Sequence, residues 1–245
     1  MSARILLATA ARVLRQLRHD HRTVGMLLVV PVLLLVLVDA LFPSGGDAFD
    51  RIALVMLGVF PFIIMFLVTS IAMLRERTSG TLERLLTTPA AKADLLGGYG
   101  LAFGFAAAVQ ATVVTTAAYL VLGLDTAGPA GLVVLVAVVD AVLGVALGLL
   151  ASAFARTEFQ AVQFMPVIVI PQLLGCGLFV PREQMAGWLQ ALSDVLPLTY
   201  GVEALQQIGV HSTATATLWQ DLLVVAGVAV LGLAVSAATL RRRTP

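Results

Sequence analysis

Long apolar runs alternate with short charged ones along this chain. Uncharged windows cover residues 52–74, 95–124, 159–181 and 222–240, and two more, 23–42 and 126–155, are each interrupted by one acid, Asp39 and Asp140. A bilayer core of about 30 Å takes roughly 20 apolar helical residues to cross. The pattern therefore predicts six spans, at about 23–42, 52–74, 95–122, 131–154, 160–179 and 219–240. The expected fold class is all-α integral membrane: six transmembrane helices forming a single transmembrane domain over residues 1–245.

The segments between the spans have patterns of their own. In residues 2–21, Leu6, Ala10, Val13, Leu14 and Leu17 share one helical face, while Arg4, Ala8, Arg12, Arg15, Arg18 and Arg22 share the opposite one. An apolar stripe against lipid and an arginine stripe against phosphates is the pattern of an interfacial helix. Before the sixth span, Pro181-Arg182-Glu183 opens a mixed stretch in which Met185, Trp188, Leu189 and Leu192 give one apolar face. Pro197 is expected to end that short helix, and Thr199–Ile208 to form a second. Two broken pieces on the outer side suggest a re-entrant or interfacial cap, with a plain surface loop as the alternative. Gly100-x-x-x-Gly104 and Gly144-x-x-x-Gly148 place small residues where helices could approach closely.

Charge sets the expected orientation. Thirteen of the fifteen basic residues fall before the first span, between spans two and three or four and five, or after the sixth; Arg51 and Arg182 are the exceptions. Excess Lys/Arg marks cytoplasmic loops, so both termini are expected inside. The first apolar run follows a charged segment and no small-residue cleavage site comes after it, so no signal peptide is expected. Cys176, the single cysteine, lies in Gly175-Cys176-Gly177 within an apolar span and reads as a small packed side chain.

Enzyme signatures are missing from the sequence: there is no Gly-x-x-x-x-Gly-Lys-[Ser/Thr] phosphate loop, no His-Glu-x-x-His and no Gly-x-Ser-x-Gly. His19, His21 and His211 all lie outside the spans. Charge concentrates instead in Arg75-Glu76-Arg77-Thr78-Ser79-Gly80-Thr81-Leu82-Glu83-Arg84-Leu85-Leu86-Thr87-Thr88-Pro89, on the expected cytoplasmic side. The second span is expected to continue past the membrane as Met73–Arg77 and to break at Ser79-Gly80. Thr81 can cap a new helix with Glu83 in its first turn, where negative charge suits the helix dipole. Leu82, Leu85 and Leu86 then form an apolar ridge, and Pro89 ends the helix. Such a short amphipathic helix suits a groove in a partner protein.

The run Arg75-Glu76…Ser79-Gly80-Thr81-Leu82-Glu83-Arg84-Leu85…Pro89 resembles the loop of ABC-2 type exporter permeases, in particular the daunorubicin-resistance permease group. The likeness extends over the whole chain, through Arg22…Pro31 in span one to Leu196-Pro197-Leu198-Thr199-Tyr200, which is similar to the family's Asn-Pro-x-Thr-Tyr region with Leu196 in place of Asn. The resemblance implies an exporter subunit of the bacterial plasma membrane that pairs with a second copy of itself, as a homodimer. It also implies two copies of a cytosolic ATPase, which would hold the ATP and Mg; no cofactor is expected in this chain, and no nucleic-acid partner. The loop helix, about Thr81–Leu86, would dock in the ATPase, with Arg75, Glu76, Thr81, Leu82, Glu83, Arg84 and Leu85 as contacts. The export path would run between the two copies, mainly along spans one, two and five.

An acid inside a span is costly to bury and is a functional candidate by default. Asp140 sits near mid-span, where it could meet a cationic drug or hydrogen-bond a neighbouring helix; Asp39, near the outer end of its span, could snorkel to water, bond locally or meet substrate. The leading expectation is export of lipophilic compounds, drugs in particular. Polysaccharide or lipid-linked glycan export by the same mechanism stays open. So does a proton-coupled secondary transporter using Asp39 and Asp140, although no clear inverted repeat of the kind such transporters often show is visible.

Overall fold

The computed structural model describes residues 3–42, 46–81 and 92–239. Among these residues it shows nine α-helices, one 3-10 turn and no strand. The helices are α1 (Ala3–His19), α2 (His21–Leu41), α3 (Asp47–Thr78), α4 (Lys92–Leu120), α5 (Ala130–Ser152), α6 (Glu158–Gly175), α7 (Gly187–Ser193), α8 (Pro197–Val210) and α9 (Ala216–Thr239), with the turn at Arg182–Gln184 before α7.

Five of them, α2, α3, α4, α5 and α9, are long and apolar enough to cross a membrane. The remaining expected span, the fifth at about 160–179, corresponds to α6, which is 18 residues long and carries Pro166 and Pro171. Pro31 in α2 and Pro61 in α3 are likewise interior. Such prolines are tolerated where neighbouring helices satisfy the freed backbone groups. α3 is the central post. Its 32 residues extend about 48 Å at 1.5 Å per residue, well beyond a 30 Å hydrocarbon core.

α3 and α5 meet backbone to backbone. A Cβ at Gly148 would lie 2.6 Å from the Phe66 carbonyl oxygen, and one at Gly144 would overlap the Phe62 carbonyl. The glycine pair expected to promote close approach therefore does so in α5. The pair in α4 does not: Gly100 first meets Leu233 at 3.7 Å, and Gly104 has nothing within 4 Å.

Polar bonds sort the elements into two ends. At one, the Asp125 amide donates to Asp50 at 3.1 Å, and the Ala127 and Gly128 amides donate to the carbonyls of Gly209 and Ile208. At the other lie α1, the end of α3, the start of α4, the end of α5 and the start of α6, where Arg77 donates to the Ser152 carbonyl at 2.6 Å.

Two expectations need correction. The apolar stripe of α1 rests on protein, not on lipid. Ala10 and Val13 are buried, Leu6 lies on Gly97, and a Cβ at Gly98 would come within 2.8 Å of the Leu6 carbonyl. The adjacent glycines on α4 let α1 come close enough to bury that stripe. Pro197, expected to end a helix, instead opens α8 at its first turn, where a missing N–H costs nothing. α8 is no surface loop, since Leu198, Val202, Ala204 and Leu205 are fully buried against the bundle. Its entry is fixed by Gln172, whose side chain accepts from the Leu198 amide at 3.1 Å, and by Ser193, which donates to the Gly175 carbonyl at 2.8 Å. Arg182 bridges Asp194 and Glu203 across this turn. In α7 the predicted face is divided: Met185 just before it is buried, whereas Trp188 is 73% exposed.

Candidate functional site

Arg12 organises the α1 end of the bundle. Helical spacing puts it with the outer arginines, yet its guanidinium turns inward. One nitrogen lies 3.0 Å from Glu76 Oε1 and the other donates to the Tyr99 hydroxyl at 2.5 Å. Its carbon sits 5.5 Å from the centre of the Tyr99 ring. Three helices, α1, α3 and α4, are thereby joined through one side chain. Tyr99 is only 1% exposed, and Glu76 is nearly covered. Removing one partner strands a charge, which for fully buried pairs costs about 3–5 kcal/mol.

Arg75, the preceding residue, faces outward to α6. It meets Glu158 through two parallel bonds of 2.7 and 3.0 Å. Glu158 occupies the first turn of α6 behind the cap formed by Thr157, which accepts from the Gln160 amide. A carboxylate there suits the helix dipole. Both partners are solvent-exposed, so this pair orients α6 more than it stabilises the fold. Adjacent residues on α3 thus grip different neighbours, α1 through Glu76 and α6 through Arg75.

α3 ends at Thr78, and Gly80 takes a positive φ of 71° that favours glycine. The expected break at Ser79-Gly80 is where the helix stops. Thr81 follows, its hydroxyl 3.0 Å from that of Ser79. Leu82, Glu83, Arg84 and Leu85, expected to meet the ATPase, lie outside the described residues. Of the other expected contacts, Glu76 is turned into the protein toward Arg12 and Arg75 is engaged with Glu158.

Asp140 lies elsewhere, fully buried in α5, and neither carboxylate oxygen has a hydrogen-bond partner among the described residues. The expected bond to a neighbouring helix is not made. Instead the carboxyl lodges between two glycines, Gly58 on α3 and Gly201 on α8. A Cβ at position 58 would stand 2.7 Å from Asp140 Oδ2, and one at 201 would overlap the carboxyl group. Gln110 on α4 and Thr69 on α3 are also fully buried polar side chains with no partner among the described residues. Asp39 is half-buried in the last turn of α2 and does not join Asp140. Among the described residues, no cluster of three or more His, Cys, Asp or Glu is arranged to hold a metal ion.

Tyr99, Glu158, Gly58 and Gly201 were not marked by the sequence. A polar aromatic within Gly97-Gly98-Tyr99-Gly100 was the one available signal, since a Tyr hydroxyl among small residues usually seeks a partner.

A family model described as ABC-2 type transporter matches residues 4–209. The chain belongs to the ABC-2 type transporter family. It is a multi-pass membrane protein. Similar proteins include a "Probable multidrug ABC transporter permease YbhR" of Escherichia coli (strain K12), 29% identical over 64% of this chain and 43% of the relative. A "Linearmycin resistance permease protein LnrN" of Bacillus subtilis (strain 168) is 27% identical over 55% and 35%. An "ABC transporter G family member 20" of Dictyostelium discoideum is 28% identical over 58% and 19%. The chain matches less than half the length of each of these relatives.

Proposed function

We propose that this chain is the permease subunit of an ATP-driven exporter of lipophilic, drug-like compounds, worked by a separate ATPase. The observation that carries the reading is the Arg12–Glu76–Tyr99 junction, because it ties the stem of the 82–91 segment to α1 and α4 at one point. Names of relatives that include multidrug and linearmycin-resistance permeases support the cargo class.

In this reading residues 81–86 dock in the ATPase, two ATPase copies serve two permease copies, and ATP and Mg are held in the ATPase. Both termini face the cytoplasm of a bacterial plasma membrane, and α6 is the fifth of six spans. Closure of the ATPase pair pushes the docked segment, and the Ser79-Gly80 bend delivers that push to the base of α3. Glu76 shares it with α1 through Arg12, and Arg75 passes it to α6 through Glu158. Because α3 and α5 are in backbone contact at Gly144 and Gly148, they move together and not past one another. The cargo path then changes between the two copies, with Asp39 and Asp140 as candidate groups along it.

The reading is tested by expressing the chain with its ATPase in cells lacking other efflux and following ethidium accumulation. Export that needs ATP and is lost on replacing Leu82 and Leu85 with Ala supports it. Export that persists with a catalytically dead ATPase overturns it. The buried, unpartnered Asp140 favours a second reading, a proton-coupled transporter. In that case a protonophore would stop export while ATP remains.

A further inference from the structure

Among the described residues, four prolines lie inside long helices, and each lacks the N–H that would pair with the carbonyl four residues earlier. Pro31 and Pro61 free the carbonyls of Leu27 and Leu57, and all four of these residues are buried. Pro166 and Pro171 on α6 free those of Val162 and Val167, and these two valines are 43% and 69% exposed. Gln163, next to Val162, is exposed as well. With Pro166, Ile170 and Leu174 they form one stripe at helical spacing, turned away from the rest of the described residues. α6 thus carries two carbonyls without helical partners and one amide side chain on an otherwise apolar outer face.

We propose that this stripe is where cargo bearing hydrogen-bond donors is selected, through the Val162 and Val167 carbonyls and the Gln163 side chain. The inference rests on the export reading and on α6 as its fifth span. Lipid tails offer these groups no donor, and freed backbone at membrane depth is tolerated where it is buried in protein or lines a water-filled cavity. A second copy does not supply the missing donors. In two parallel copies equal depths face one another, so the Val167 carbonyl, about 6 Å beyond Gln163 at 1.5 Å per residue, would meet acceptors like itself. Two backbone acceptors and one amide favour an amine, amide or hydroxyl over a group that only accepts. The apolar remainder of the stripe, with exposed Phe159 before it and Phe179 after it, suits the lipophilic body of the same molecule.

The test is equilibrium binding of two lipophilic cations to the purified full chain in lipid nanodiscs. Ethidium carries aromatic amines that donate; tetraphenylphosphonium has no donor. Gln163→Leu should weaken ethidium binding about two- to tenfold, the range of one lost hydrogen bond, and leave tetraphenylphosphonium unchanged. Pro166→Ala gives the Val162 carbonyl its helical partner back and should act in the same direction. Unchanged tetraphenylphosphonium binding also shows that each variant is folded. Binding is read without the ATPase, so a failure of ATP-driven export leaves this result standing and the two claims fall separately. Ethidium binding that is absent in the wild type, untouched in both variants, or lost together with tetraphenylphosphonium overturns the inference. So does a dimer that falls to monomer in either variant, read by mass photometry, since the stripe would then be a contact between copies.

Discussion

Arg12 and Glu76, 64 positions apart in sequence, meet at 3.0 Å under the cover of Tyr99. Glu76 Oε2 is buried with no hydrogen-bond partner among the described residues, and Oε1 is held by Arg12. If the pair positions α1 against α3, Glu76→Gln and Arg12→Gln should each impair export, and the double variant should cost less than the sum. Coupling energies of about 0.5–3 kcal/mol are usual for such contacts, or roughly two- to 150-fold in a rate. ATPase copurification separates the roles. It should stay near wild type in Glu76→Gln, whereas a direct docking acid would lose it.

The glycines of α5 make a sharper contrast with those of α4. Gly148→Ala forces a Cβ to 2.6 Å from a backbone oxygen that cannot rotate away. Overpacking of this kind costs about 1–3 kcal/mol. Gly104→Ala meets nothing within 4 Å and should leave stability unchanged or slightly raised. Thermal unfolding in detergent, read by scanning fluorimetry, should show a lowered Tm for the first and not for the second. Equal Tm values would mean that the α3–α5 contact is not tight.

Those two motifs have the same spacing, which shows where sequence stops being informative. Span positions follow from hydropathy alone, because every span must be long and apolar whatever it packs against. The break at Ser79-Gly80 was legible because a glycine conformation terminates the helix locally. What each face touches is not local. Arg12 is 100° around the helix from the buried Val13 and so stands at the edge of the stripe, where Tyr99 and Glu76 could draw it inward. Gly58 and Gly201 carry no spacing signal at all. Their meaning comes only from Asp140, which lies on another helix.

Asp20 links α1 to α2 and caps the latter. Thr23 donates to it twice, from its amide at 3.1 Å and from its hydroxyl at 2.6 Å. The hydroxyl bond, then the amide bond, hold the carboxyl below its usual range. A depressed acid contributes stability above its unfolded pKa, about 3.9, and loses it as pH falls through the lower folded value. The protection factor of the Thr23 amide, which divides out the intrinsic pH dependence of exchange, should therefore be high at neutral pH and fall only below about pH 4. Asp20→Asn should keep the cap and remove that acid dependence, while Asp20→Ala should cost about 1 kcal/mol at neutral pH and less below about pH 4, where the wild-type carboxylate is itself lost.

Asp140 and Gly201 offer the most direct test of how α8 is seated. The carboxyl fills the space that a side chain at 201 would need. Gly201→Ala should therefore dislodge α8 and destabilise the protein by about 1–3 kcal/mol. Asp140→Ala removes the obstructing carboxyl, so adding it to Gly201→Ala should restore much of the lost stability. On its own, Asp140→Asn keeps the shape and removes the group's ability to ionise. If the acid serves cargo, Asn should lower export of cationic ethidium while sparing a neutral substrate, because an amide cannot ionise against a bound cation. Equal loss for both cargoes would assign Asp140 to the seating of α8 between α3 and α5. A Gly201→Ala protein that is as stable as wild type would show that α8 is not held against Asp140 at all.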